Sequence, residues 1–181
     1  MVMHSEVTLI TGEPVPFPEL ARFYAPRPAG ERVELIVLHH SAGHAAIDLP
    51  ILLGHTTLQV SAHFYLTRDG AIRQLVPLAD AAWHAGQSCW QGRRWVNSFS
   101  IGIELENRGD EPWPPVQVHA CAALCRTLLR RFHLPADHIV SHQEIACWIE
   151  DGQLIWKKDG ARRKNDPANF PWETFRALLA E

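Results

Sequence analysis

Apolar and polar positions change period several times along this chain, and each change marks an element. Val33-Glu34-Leu35-Ile36-Val37-Leu38 is a short apolar run with β-branched residues. It predicts a buried strand ending at His39-His40. Ser41-Ala42-Gly43 reads as a turn, and Ile47 to Gln59, with Leu49, Leu52, Leu53 and Leu58, predicts a helix. Ser61 to Thr67 and Ala71 to Val76 predict two strands joined by Arg68-Asp69-Gly70, an Asp-Gly hairpin signal. Trp83 to Asn97 has no period and predicts a loop over a concave surface. In the predicted strand Ser98 to Leu105, Ile101, Ile103 and Leu105 alternate against Gly102, Glu104 and Glu106. Pro114-Pro115 open a long helix whose apolar stripe is Val118, Cys121, Cys125, Leu128, Leu129 and Phe132. His138 to Ser141 predicts a short strand leading into His142. Pro171-Trp172 begin a last helix with Phe175, Leu178 and Leu179 inward. Strands and helices alternate irregularly around one hairpin. That pattern predicts an α/β fold in which a central mixed β-sheet is flanked by α-helices. Pro14, Pro16, Pro18, Pro26 and Pro28 make residues 1–30 an irregular N-terminal segment of that single domain.

Composition narrows the function classes. A chain of 181 residues with 46% hydrophobic and 20% charged residues can bury a core and is not a disordered chain. Seventeen basic and 20 acidic side chains give a net charge of −3, which argues against a phosphate-neutralising nucleic-acid binder. No apolar run approaches the ~20 residues of a membrane span. The first residues lack a basic stretch followed by an apolar one, so a cytoplasmic location is expected. Four cysteines are too few for a disulfide scaffold, and the 11 histidines direct attention to metal ligation. Nothing in the pattern speaks to oligomeric state.

Several polar residues sit where chemistry could be done. His39 and His40 end a buried strand, where a sheet opens onto a crevice. Neighbours on a strand point to opposite faces, so at most one of the two faces a given site. His142 follows another short strand and equally suits a helix cap or the surface. Asp166 precedes Pro167 and equally suits a turn. These three are far apart in sequence and form no compact metal motif. Glu104 interrupts an apolar strand on the side opposite Ile101, Ile103 and Leu105. It is either solvated or, aimed into a dry cleft, a general base. Cys121 and Cys125 read as core. Trp83, Trp90, Trp95, Trp113, Trp148 and Trp156 lie mostly outside regular elements, where some could line a groove for a sugar or peptide.

Four segments, in order, resemble the zinc-dependent N-acetylmuramoyl-L-alanine amidases, a family that spans AmpD-like recycling amidases, phage amidase endolysins and peptidoglycan-recognition proteins. They are Ile36-Val37-Leu38-His39-His40-Ser41-Ala42; Val60-Ser61-Ala62-His63-Phe64-Tyr65 with Arg68-Asp69-Gly70; Ala82-Trp83-His84-Ala85-Gly86 through Asn97 to Glu106; and Ser141-His142-Gln143-Glu144-Ile145-Ala146 with Arg163-Lys164-Asn165-Asp166-Pro167. The resemblance implies Zn²⁺ bound by His39, His142 and Asp166, catalysis by Glu104 and Lys164, and a substrate groove bordered by Trp83 and His84. It implies hydrolysis of the amide between N-acetylmuramic acid and L-alanine in peptidoglycan or muropeptide fragments. A non-catalytic peptidoglycan-binding module of the same fold is the alternative, and so is a zinc hydrolase acting on another amide. Two departures from the family pattern stand out. Residues 147–162 form an insertion expected to wall the groove near the active site. The usual Asp-Pro-Gly-Pro ending is Asp166-Pro167-Ala168-Asn169, which leaves His63 and His84 open as substitutes for the third ligand.

Overall fold

The structure, a computed structural model, describes residues 20–181 and, before them, only the backbone of two paired strands, Val7–Thr8 and Pro14–Val15. The expectation of an irregular segment over residues 1–30 therefore lies largely outside the described residues. Within the described part, Tyr24–Pro26 pairs antiparallel with Asp80–Ala82.

Five strands form the central sheet: β1 (Leu35–His40), β2 (Phe64–Leu66), β3 (Ile72–Gln74), β4 (Ser100–Leu105) and β5 (Ile139–Ser141). Their order is β5-β1-β4-β2-β3. The first four are parallel, and β3 returns antiparallel to β2 through the Asp69-Gly70 hairpin. Among the described residues four α-helices accompany them: α1 (Ala45–Leu52), α2 (Pro115–Phe132), α3 (His142–Ile145) and α4 (Trp172–Leu179). The mixed sheet with flanking helices is the class expected from the sequence.

Strand alternation sorts the residues onto two faces. Ile36, Leu38, Ile101, Ile103 and Leu105 face α2 and α4, where they pack on Val118, Cys121, Ala122, Cys125, Leu128 and Phe175. Leu35 and Val37 face the other way, onto Ala85, Val96, Phe99 and Ile145. Each fully buried Leu, Ile or Phe contributes ~1.5–3 kcal/mol of burial. The cooperative sum fixes the register of β1 against β4.

That register differs from the sequence expectation at its ends. Pairing runs from Leu35 opposite Ser100 to His40 opposite Leu105, so β1 starts two residues later than expected and includes both histidines. A 3₁₀ turn over Val96–Phe99 takes the start expected for β4. Helix α1 stops at Leu52 rather than Gln59. Gly54 adopts φ +83°, the left-handed conformation of a helix terminus, and an alanine Cβ there would also meet the Arg22 Cβ at 2.9 Å. The Trp83 to Asn97 segment is not a plain loop: Cys89–Trp90 pairs with Arg93–Arg94 about Gln91 and Gly92, both at positive φ. Residues 147–162 also hold a hairpin, Trp148–Glu150 with Gln153–Ile155.

Candidate active site

The parallel strands deliver their polar residues to one end of the sheet, where α/β folds bind ligands. His39 and Glu104 are direct partners in the β1–β4 register and share the face opposite α2. His40, on the other face, accepts a hydrogen bond from the Ala168 N–H at 3.1 Å. One histidine of the pair thus serves the site and its neighbour anchors a loop, as strand parity requires.

His142 is the first residue of α3, one position beyond β5. Ser141 caps this single turn: its side chain accepts from the Glu144 N–H, and the Glu144 carboxylate accepts from the Ser141 N–H at 2.7 Å. The Ser141-His142-Gln143-Glu144 spacing is a capping box, a signal that locates the turn from sequence. The same turn is tied to the segment that carries Asp166, because the Gln143 N–H donates to the Asp166 carbonyl. Beyond Asp166, Ala168 is pinned from both sides, by His40 and by the Trp113 indole N–H donating to its carbonyl. Asn169 takes φ +52°, which Asn tolerates and Pro cannot adopt. This backbone accommodates the departure from Asp-Pro-Gly-Pro.

Three buried side chains converge here. His39 Nδ1, His142 Nδ1 and Asp166 Oδ2 stand 3.0 Å, 3.1 Å and 3.0 Å from one another. His142 Nε2 lies 3.1 Å from the Ala85 carbonyl oxygen, which can only accept, so Nε2 carries a proton and Nδ1 is the nitrogen turned to the triangle. The triangle therefore gathers two imidazole nitrogens and a carboxylate oxygen, atoms that a positive charge at its centre would satisfy together. Ligand atoms around a four-coordinate ion with ~2.1 Å bonds stand about 3.4 Å apart, close to the observed spacing. The donor set of two imidazoles and a carboxylate, leaving further positions open, fits a catalytic metal ion.

Electrostatics agree with that fit. Burial, reinforced by the neighbouring His142, pushes the His39 pKa down to about 4, so its ring is neutral, the form that ligates. Glu104 is different. Its side chain is 14% exposed, its Oε1 lies 4.0 Å from His39 Nδ1, and its Oε2 is buried without a hydrogen-bond partner. Burial, then the charges of Asp166 and Asp48, raise its pKa to about 8, with Lys164 opposing.

His63 and His84 do not substitute for Asp166. His63 Nδ1 accepts from the Gly102 N–H at 3.0 Å and its Nε2 donates to the Asp80 carbonyl at 3.1 Å. His84 Nδ1 faces His39 Nε2 at 2.9 Å, and its Nε2 faces Ser100 Oγ at 3.0 Å. Neither ring has a nitrogen left for the triangle.

The triangle opens into a cavity of about 330 Å³. Glu104, Lys164, Trp83 and His84 all line it beside the triangle, whereas His63, Trp90, Trp95, Trp113, Trp148 and Trp156 do not. Trp83 stacks on Phe23 at 5.9 Å between ring centres. Residues 147–162 contribute nothing to this lining; they lean on the 87–94 segment instead, with Cys147 N–H donating to the Gln87 carbonyl and Arg94 to that of Gly152. Sequence reasoning missed Asp48, a buried cavity residue that accepts a 2.8 Å hydrogen bond from the Tyr65 hydroxyl. A lone carboxylate in the otherwise apolar Ala45–Leu52 helix was the available signal.

A family model for N-acetylmuramoyl-L-alanine amidases matches residues 29–169. The chain belongs to this amidase family. Its members hydrolyse the amide joining N-acetylmuramic acid to L-alanine. Among curated relatives, this amidase is 35% identical over 190 residues to 1,6-anhydro-N-acetylmuramyl-L-alanine amidase AmpD of Salmonella typhimurium (strain SL1344), covering 95% of this chain and 92% of that one. It is 34% identical to N-acetylmuramoyl-L-alanine amidase AmiD of Escherichia coli (strain K12), over 78% of this chain and 51% of AmiD. Among solved structures, an AmpD derivative superposes with a TM-score of 0.75 at 34% identity, covering 88% of this chain and 92% of that one. E. coli AmiD in complex with anhydro-N-acetylmuramic acid-L-Ala-D-gamma-Glu-L-Lys superposes with a TM-score of 0.68 at 30% identity, covering 93% and 63%. Among the described residues, no helix of this amidase is long and apolar enough to cross a membrane.

Proposed function

We propose that this amidase uses Zn²⁺, held by His39, His142 and Asp166, to release stem peptide from soluble anhydro-muropeptides. The observation that carries the reading is the meeting, in one cavity, of three converging atoms that could hold a cation and the Glu104 carboxylate, whose Oε1 lies 4.0 Å from His39 Nδ1 and whose Oε2 is buried without a hydrogen-bond partner. Two imidazoles and a carboxylate are a donor set that zinc favours. Zinc, when bound, lowers the pKa of water towards 7 and polarises the scissile carbonyl.

The chain's own residues supply the rest. Glu104 accepts the proton of the attacking water through its free Oε2 and delivers it to the departing alanine amine. Glu104, whose pKa burial raises to about 8, would be drawn down by a cation held at the triangle into the range where it can act as a base near neutrality. Lys164, at the cavity wall, donates to the carbonyl oxygen as negative charge develops there. Trp83, braced by Phe23, gives the substrate an apolar wall.

The preference for the anhydro fragment rests on likeness to AmpD over nearly the full length of both chains, and we infer a cytoplasmic setting from the same likeness. The test is peptide release from anhydro-muropeptide and from intact sacculi, each before and after chelation and after Zn²⁺ is restored. Activity on the fragment that vanishes on chelation and returns with Zn²⁺ is expected. Full activity in verified metal-free protein refutes the mechanism, and faster release from sacculi refutes the substrate preference.

A further inference from the structure

His84 has no ring nitrogen free for a substrate, and its hydrogen bonds have a forced direction. The Val96 carbonyl can only accept, so Ser100, 2.7 Å away, spends its one hydroxyl proton there. Ser100 Oγ must then accept across its 3.0 Å contact with His84 Nε2, which places the His84 proton on Nε2. His84 Nδ1 is left as a lone pair, and at 2.9 Å it accepts a proton from His39 Nε2. His39 Nδ1 is thereby left bare, and this is the atom that faces His142 and Asp166. The opposite direction of the chain would put a proton on His39 Nδ1 and leave two oxygens 2.7 Å apart with no proton between them.

The chain is built into the sheet. Ser100 is fully buried at the start of β4, two residues before the glycine on which the His84 ring lies. An alanine Cβ at Gly102 would come within 2.3 Å of His84 Cγ, so only glycine leaves room for the ring. The His84 backbone is held as well, its N–H donating to Asn97 Oδ1 at 3.1 Å.

We infer that Ser100 and His84 are positioning residues that impose the metal-ready tautomer on His39. The inference rests on the metal-site reading above. Partners of this kind typically change metal affinity by about 10–100-fold when removed.

The test reads imidazole ¹⁵N shifts of the metal-free protein and Zn²⁺ affinity by competition with a chromophoric chelator. In the wild-type protein, both His39 and His84 are expected to carry the proton on Nε2. Ser100→Ala is expected to populate the reversed tautomers and weaken Zn²⁺ binding by about 10–100-fold. His84→Leu should weaken it similarly. His84→Asn, whose amide oxygen can accept from His39, should recover part of the loss. Should His84→Leu fold poorly, Ser100→Ala tests the chain alone. A wild-type His39 protonated on Nδ1, unaltered Zn²⁺ affinity in Ser100→Ala, or an Asn variant no better than a folded Leu variant overturns the inference. The tautomer spectrum answers the question even in a protein that binds no Zn²⁺, a result that would instead overturn the metal reading.

Discussion

Glu104→Gln separates two properties that a base buried beside a metal site must combine. In the metal-free protein, Glu104 has its pKa raised from 4.5 to about 8, mainly by burial and then by Asp166 and Asp48. Its unfolded value is near the ordinary one. Between the two values the folded state holds a proton that the unfolded state has released, so stability falls as pH rises through this window. Below 4.5 both states are protonated and the penalty is absent; above about 8 it is complete. At ~1.36 kcal/mol per pH unit the window corresponds to about 5 kcal/mol at most, and water entering a cavity open to solvent reduces this to roughly 2–4 kcal/mol. The neutral glutamine avoids the penalty. Metal-free Glu104→Gln should therefore melt about 5–15 °C above the metal-free wild type at pH 9, at 2–4 °C per kcal/mol. The difference should shrink towards zero at pH 4.5–5. Calorimetry of both proteins across this range measures it. The same variant, loaded with Zn²⁺, should bind metal normally and lose about 10²–10⁴-fold in kcat. A melting difference that does not grow with pH would refute the assignment of a strained, partnerless carboxylate. Loss of Zn²⁺ would show Glu104 to be a ligand.

The remaining expectations address other parts of the molecule. Asp166→Ala removes one of three converging acceptors and should lower Zn²⁺ occupancy itself, measured by metal analysis after gel filtration. Lys164→Ala should reduce kcat by roughly 10²-fold with Zn²⁺ content unchanged, measured by steady-state kinetics alongside metal analysis. Leu128→Ala empties a core position under the sheet and should cost about 2–5 kcal/mol in urea unfolding, with kcat of the folded protein preserved. Shortening the Trp148–Ile155 hairpin, which lines no part of the 330 Å³ cavity, should leave both kcat and KM for anhydro-muropeptide unchanged.

The sequence made the polar ends of the strands legible because they rest on parity. An alternating strand with Glu104 opposite three aliphatic residues, and a histidine pair closing an apolar run, follow directly from period two. The class of fold followed from the same patterns. Spacing alone does not single out Asp166, to which only the family resemblance pointed, because His63, His84 and Asp166 differ in what their nitrogens and oxygens touch. His63 is consumed by the Gly102 N–H and the Asp80 carbonyl, contacts made across the sheet and invisible to spacing. Helix α1 was overextended because Leu58 continues the apolar spacing beyond Gly54, although the glycine was the stronger signal. Nearness in sequence to His142 and Lys164 does not bring residues 147–162 into the cavity lining. The antiparallel pairing of Trp148–Glu150 with Gln153–Ile155 folds it back on itself and onto the 87–94 segment.

Strand β4 shows how the site depends on the core. Its three residues on the cavity face do three different things: Ser100 orients a proton, Gly102 leaves space for a ring, and Glu104 presents a carboxylate. None of the three adds apolar burial, and the glycine and the buried carboxylate weaken a strand. The compensating burial comes from the same strand's other face, where Ile101, Ile103 and Leu105 are fully buried against α2 and its neighbours. A one-residue slip against β1 would exchange the two faces, putting three aliphatic side chains into the cavity and Glu104 into the α2 core. Burying an unpaired carboxylate there, and exposing three core residues, are both opposed by several kcal/mol. The aliphatic half of β4 therefore holds the polar half in register with His39, and the placement of the proposed base against the proposed ligand is a consequence of core packing on the opposite side of the sheet.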